Sequence, residues 1–191
     1  MNRLDVSDYL VHWTSGEDDE EAFLRLLGIV TNLQISGNYE NIKGNFLCVC
    51  FTEAPSKEFH RIKTRYRPFG VQVSKKWLYS KGGRPVIYQS DSEYQLLPQE
   101  LKWRHVRYEP NRDPPIDFTW EREWRIAENY LYLEREHMRV LVPNQKWADE
   151  LICECENYEM GEYFFYATQY GQEYLGMEPE GFNLSYSILN A

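Results

Sequence analysis

An α+β fold is expected from three features of the chain. Short runs such as FGVQVS (69–74) alternate apolar and polar residues, as half-buried strands do. Others, such as 23–33, repeat apolar residues every three to four positions, as the buried stripe of a helix does. Turn chemistry punctuates both, and no repeat, low-complexity tract or linker divides the chain, so residues 1–191 read as one domain. That length can bury a real core without metal or disulfide staples.

Taken in order, LVHWTS (10–15) is a short strand. Ser15 and the acids that follow Gly16 supply a capping side chain and negative charge where a helix N-terminus favours them. Phe23, Leu26 or Leu27, Val30 and Leu33 give that helix one apolar face, and the polar stretch SGNYENIKGN (36–45) ends it. FLCVCFT (46–52) is a strand. APSKEFHRIKTRY (54–66) opens with Pro55 near a helix start and keeps a basic outer face. After the strand FGVQVS, KKWLYS (75–80) is a brief helix closed by Gly82 and Gly83, and RPVIY (84–88) is a strand. Prolines 98, 110, 114 and 115 make 91–117 mostly loop with one short helix. DFTWEREWRI (117–126) reads as a strand, with Glu121, Glu123 and Arg125 on one face and Trp120, Arg122, Trp124 and Ile126 on the other. LYLE (131–134), MRVLVP (138–143) and NLSYSIL (183–189) are further strands, and 144–157 is a helix.

Composition narrows the function classes. With 42% hydrophobic and 16% aromatic residues the chain is too apolar for disorder. No apolar run approaches the roughly 18 residues of a membrane span, so no membrane partner is expected. The start MNRLDVSDYLVHW has neither a signal-peptide core nor transit-peptide character, which makes the cytoplasm the expected compartment. A net charge of −9 weighs against non-specific binding to nucleic acid or anionic lipid. Within 57–84, however, nine basic residues face one acid, a net +8 that leaves −17 elsewhere. That segment is either a local anion site or a set of solvated faces. The four cysteines fall in two CxC pairs, Cys48/Cys50 and Cys153/Cys155. Zinc sites usually space their cysteines more widely, and residues two apart on a helix diverge, so reduced thiols and no metal are expected.

HWTS at the start, CVCFTEAPSKEFH, the block FGVQVSKKWLYSKGGRPVIY and EREWR together resemble the abortive-infection AbiGi-type proteins of bacteria, over residues 10–142. More distantly, the order of elements is similar to the ADP-ribosyltransferases, whose fold is a split antiparallel β-sandwich with a NAD-binding cleft between its sheets. The resemblance implies a bacterial phage-defence or toxin–antitoxin protein with NAD as substrate. Its partners would be a protein or nucleic-acid acceptor, or a cognate toxin or antitoxin. Antitoxins are described in the AbiGi group, so a non-catalytic nucleotide- or protein-binding module, antitoxin or sensor, stays open beside the enzyme.

On that resemblance Glu121-Arg122-Glu123 matches the Glu-x-Glu of ADP-ribosyltransferases. Glu123 would be the catalytic carboxylate and Glu121 the residue that orients the acceptor. His12 and Thr14 match the His-x-Ser/Thr of the first strand, which binds adenosine ribose and the nicotinamide amide, although Trp13 stands where Gly is common. The aromatic partner of nicotinamide would be His60 or Tyr66, and Arg61, Arg65 and Arg84 would contact the pyrophosphate or acceptor, since guanidinium binds phosphate oxygens through paired hydrogen bonds. The residues alone leave another account open: Arg125 could offset the repulsion of Glu121 and Glu123 in an ordinary ion-pair ladder. No P-loop, GxGxxG, GxSxG or HExxH motif is present, and a metal-dependent nuclease built on Asp117, Glu121 and Glu123 would lack a lysine in this strand.

Overall fold

The computed structural model describes residues 7–53, 66–170 and 183–189. The helix expected over 54–66 therefore lies outside the described residues apart from Tyr66. The rest forms a mixed α and β structure around a mostly antiparallel open sheet. Seven strands compose it: β1 (Tyr9–Trp13), β3 (Val49–Thr52), β4 (Gly70–Ser74), β5 (Arg84–Pro85), β8 (Glu123–Ile126), β10 (Met138–Val142) and β11 (Tyr186–Ile188). Their order is β11-β10-β4-β1-β3-β8-β5, antiparallel except for the parallel pair β10–β11. Two small ribbons flank the sheet, β2 (Gln34–Ser36) with β9 (Tyr130–Tyr132) and β6 (Ile87–Gln89) with β7 (His105–Arg107).

Register assigns each side chain a face, because residues directly opposite in an antiparallel pair point the same way. One face carries Leu10, Val49, Phe51, Val71, Val73, Ile126, Met138, Val140 and Val142, all buried in a single cluster. Helix α1 (Asp19–Asn32) closes it with Phe23, Leu26 and Val30, and helix α3 (Gln145–Tyr170) with Ala148, Leu151 and Cys155. Trp147 wedges between Phe23 and Phe69, at ring separations of 4.9 and 5.1 Å. Burying side chains of this size stabilises by about 1.5–3 kcal/mol each, so this layer supplies much of the driving force for folding. The opposite face is less apolar: Val11, Trp13 and Leu141 form a small cluster that Tyr66 and Leu189 pack against.

Capping follows the expected chemistry with the residue moved by a few positions. Asp18, not Ser15, caps α1, its Oδ1 accepting the Glu21 amide at 2.8 Å, and Asp19, Glu20 and Glu21 fill the first turn. Leu33 ends α1 in the left-handed region, and the chain enters β2 at once rather than the loop expected from residue 36. The short helix α2 (Lys75–Ser80) is capped by Ser74 and stops before Gly82, whose φ of 104° needs glycine. The strand expected over 84–88 is split between β5 and β6, which belong to different sheets. The irregular region 91–117 holds two 3-10 helices, Glu93–Leu96 and Gln99–Arg104, and strand β7. Helix α3 runs to Tyr170, well past the expected end at 157. Among the described residues no helix is long and apolar enough to cross a membrane.

Candidate functional site

The stretch DFTWEREWRI is not a strand throughout. Thr119–Glu121 is a 3-10 turn, Arg122 adopts φ 46° and ψ 51°, and only Glu123 onward is strand. The left-handed residue lets the chain turn sharply into β8. As a result Glu121, although not on the strand, still reaches the same cavity as Glu123 and Arg125. The strand-face prediction thus holds for Glu123 and Arg125, while Glu121 arrives by a different route.

That cavity has a volume of about 340 Å³ and is lined by the three charged residues together with Asn41, Val106, Arg107, Ile116 and Phe118. Glu121 is only 4% exposed, and its Oε2 accepts a hydrogen bond from the Tyr66 hydroxyl at 3.0 Å. Glu123 accepts Nε of Arg125 at 2.7 Å and Nη2 at 3.3 Å. Arg125 also donates from Nη1 to the carbonyls of Trp103 (3.2 Å) and His105 (2.9 Å), which satisfies its remaining fork. Burial is the strongest single influence on Arg125 and opposes its charge, yet Glu123 and the neighbouring Cys50 and Cys48 together outweigh it and hold the guanidinium above its ordinary pKa. A buried cation thus holds Glu123, and a phenol holds one oxygen of Glu121.

The thiols beside this pair are inert. Burial and the Glu123 charge push Cys50 well above the usual thiol range, and burial raises Cys48 to about 11. Cys153 is exposed and Cys155 buried, so the second CxC pair diverges along α3 as its helical spacing requires. One group with closely spaced metal-ligand atoms occurs among the described residues, Glu134, Glu136 and His137. Its Glu134 is already bound to Lys81 at 2.6 Å and to Trp77 Nε1 at 3.3 Å.

His12 and Thr14 lie elsewhere. Register aligns Val11 with Thr52 and Thr52 with Glu123, which places those three on one face and turns His12 to the other. There the His12 ring sits edge-on to Phe51 at 5.8 Å, and its Nδ1 lies 2.9 Å from the Cys50 carbonyl. Burial lowers its pKa, partly offset by that backbone bond, so the ring is neutral at pH 7. Thr14 is buried and donates its hydroxyl to the Phe69 carbonyl at 3.2 Å. Both line a separate cavity of about 490 Å³ against α1 and β2, with Arg25, Asn32, Gln34 and Asn38. His12 and Thr14 therefore do not share a pocket with Glu123, as the roles the resemblance implies around one NAD cleft would require, because one residue of register separates the faces.

Of the other expected contacts, His60, Arg61 and Arg65 lie outside the described residues. Tyr66 is brought to Glu121. Arg84 sits on the edge strand β5, directly opposite Arg125. Arg107 and Asn41, which share the acid cavity, come from segments without periodic signal, and only their charge or amide could have marked them.

No family profile, curated protein or solved structure matches the chain.

Proposed function

We propose that the chain acts on NAD at the Glu121–Glu123 pocket, as an ADP-ribosyltransferase or NAD glycohydrolase of a bacterial defence or toxin–antitoxin system. The observation that carries this reading is the pairing of two carboxylates in one cavity, Glu121 buried beside the Tyr66 hydroxyl. Glycosidic cleavage needs negative charge near a sugar carbon that becomes electron-poor. The bond between ribose and nicotinamide breaks with its electron pair passing to the nicotinamide ring nitrogen. The ribose carbon then takes an oxygen or nitrogen of water or an acceptor, whose proton passes to a carboxylate. In this reading the expected roles are exchanged: Glu121, whose Oε2 accepts the Tyr66 hydroxyl inside the cavity, is the working carboxylate, and Glu123, held by Arg125 through two bonds, is the anchored one. Nicotinamide release by the wild type, lost in Glu121→Gln with the melting temperature held, is the expected result. Full activity in Glu121→Gln would remove the reading.

A second reading is favoured by the Glu123–Arg125 pair itself and by the position of His12 and Thr14 on the far face. A pocket in which Arg125 already neutralises Glu123 suits a non-catalytic nucleotide- or protein-binding module. Calorimetric binding of NAD without nicotinamide release would select it.

A further inference from the structure

We propose that the C-terminal half of helix α3 is a docking surface for a basic amphipathic segment of another protein, seated in an aromatic groove at Gly161. The surface is separate from the Glu121–Glu123 pocket, since α3 packs on the sheet face that carries Leu10 and Phe51, opposite Glu123.

The two halves of α3 differ in what they bury. Ala148, Leu151 and Cys155, spaced three and four residues apart, enter the main core, whereas from Glu156 to Gln169 Tyr163 is the one buried side chain. Phe164 and Phe165 are 59% and 61% exposed, and Tyr158 and Met160 are 41% exposed. Large apolar side chains left open together mark an interaction surface. Tyr158, Gly161 and Phe165 recur at spacings of three and four, so they share one stripe along the helix. With Asn157, Glu162 and Tyr166 they line an open groove of about 430 Å³, where the rings of Phe165 and Tyr166 stand edge to face 5.5 Å apart. Gly161 makes the notch. A Cβ there would meet nothing within 4 Å, so packing does not require glycine at this turn. Glycine inside an exposed helix nevertheless costs roughly 1 kcal/mol relative to alanine. A notch kept open at that cost fits a side chain that enters from outside.

Charge selects the occupant. Between Trp147 and Tyr170 stand Asp149, Glu150, Glu154, Glu156, Glu159 and Glu162, with no Lys, Arg or His. Glu159 is held by Arg135 at 2.8 Å. Glu154 falls on the same stripe as Tyr158, and Glu162 lines the groove itself; among the described residues neither pairs with a base. A lysine or arginine beside an apolar side chain would meet these carboxylates and rest its stem and charge on the exposed rings. A second copy of this chain is a poor occupant, because it would set the acids of one helix against those of the other and each chain carries −9. The same charge opposes an anionic membrane.

Fluorescence anisotropy of a labelled amphipathic Lys/Leu peptide, titrated with the full chain, tests the surface, with a Glu/Leu peptide of the same spacing as control. The Lys/Leu peptide should bind saturably and the Glu/Leu peptide should not. Phe165→Ala and Gly161→Gln should each weaken binding by about tenfold or more. Gly161→Gln is the sharper variant, because it fills the groove while its melting temperature should hold or rise. The Glu154→Gln/Glu162→Gln double variant should weaken binding and flatten its salt dependence. Tyr130→Ala, on strand β9, should bind as wild type does. Undetectable binding of the Lys/Leu peptide, equal binding of both peptides, or unchanged binding by folded Gly161→Gln and Phe165→Ala overturns the docking surface. Sedimentation separates the other occupants: a dimer that Phe165→Ala dissolves would give the groove to a second copy, and pelleting with phosphatidylcholine vesicles that the same variant abolishes would give it to a membrane. Either result overturns a basic protein segment as the occupant.

Discussion

Arg125 holds Glu123 from the same strand, two residues away, with its Nε 2.7 Å from one carboxylate oxygen and its Nη2 3.3 Å from the other. The side chains are 4% and 12% exposed, so this pair is buried. Removing one partner of such a pair strands a charge, which costs roughly 3–5 kcal/mol. Arg125→Met should therefore lower stability to denaturant by about that amount. The Glu123→Gln/Arg125→Met double variant should recover part of the loss, since neither charge is then left behind. Equal losses in the single and double variants would mean that Arg125 acts through the Trp103 and His105 carbonyls and not through Glu123.

Tyr66 tests the other carboxylate. Its ring packs on Val11, Trp13 and Leu141 while its hydroxyl donates to Glu121. Tyr66→Phe keeps the packing and deletes the bond. Nicotinamide release should fall about tenfold, equivalent to about 1.4 kcal/mol of transition-state stabilisation. A purely structural Tyr66 would show the opposite split, with the melting temperature lowered and any turnover per folded molecule unchanged.

The core was legible in the sequence because period and burial coincide there. Phe23, Leu26 and Val30 sit where a helix of 3.6 residues per turn places them, and Val71 and Val73 where alternation does. The candidate site was only half legible. Glu121 and Glu123 share a cavity, as two acids in Glu-x-Glu suggested, but the kink at Arg122 has no periodic signature. His12 illustrates the harder limit. Its place on β1 is readable, whereas the face it takes relative to Glu123 depends on registry across two strand pairs, β1–β3 and β3–β8. A shift of one residue reverses the face.

Arg122 offers a test of the kink. Left-handed backbone costs an ordinary residue about 1–2 kcal/mol, and a β-branched residue more. Arg122→Gly should therefore fold with stability near or above that of the wild type, and Arg122→Val should lose about 1–2 kcal/mol in urea unfolding. If Val is tolerated as well as Gly, the turn that brings Glu121 to the cavity is not fixed by this residue's backbone.

The pH dependence of stability reports on two buried histidines. His12 and His105 both have lowered pKa values, in each case chiefly through burial and partly offset by a backbone carbonyl. In the unfolded chain a histidine titrates near 6.5. Between that value and the lowered folded one, the unfolded state binds more protons than the native state, so stability rises with pH across this window. The contribution is complete above about pH 7 and is lost as the pH falls through 6.5 toward the folded pKa values. Carboxylates with lowered pKa values, such as Asp91 and Glu134, add their loss at lower pH, where they are protonated. Urea midpoints of the wild type should thus decline from pH 7 to pH 5. In His12→Gln the midpoint at pH 7 should be lower, because the contact with Phe51 and the bond to the Cys50 carbonyl are disturbed, but the decline should be shallower. A slope in His12→Gln as steep as in the wild type would show that His12 can accept a proton where it stands. It would then face water in the larger cavity rather than lie sealed against the core.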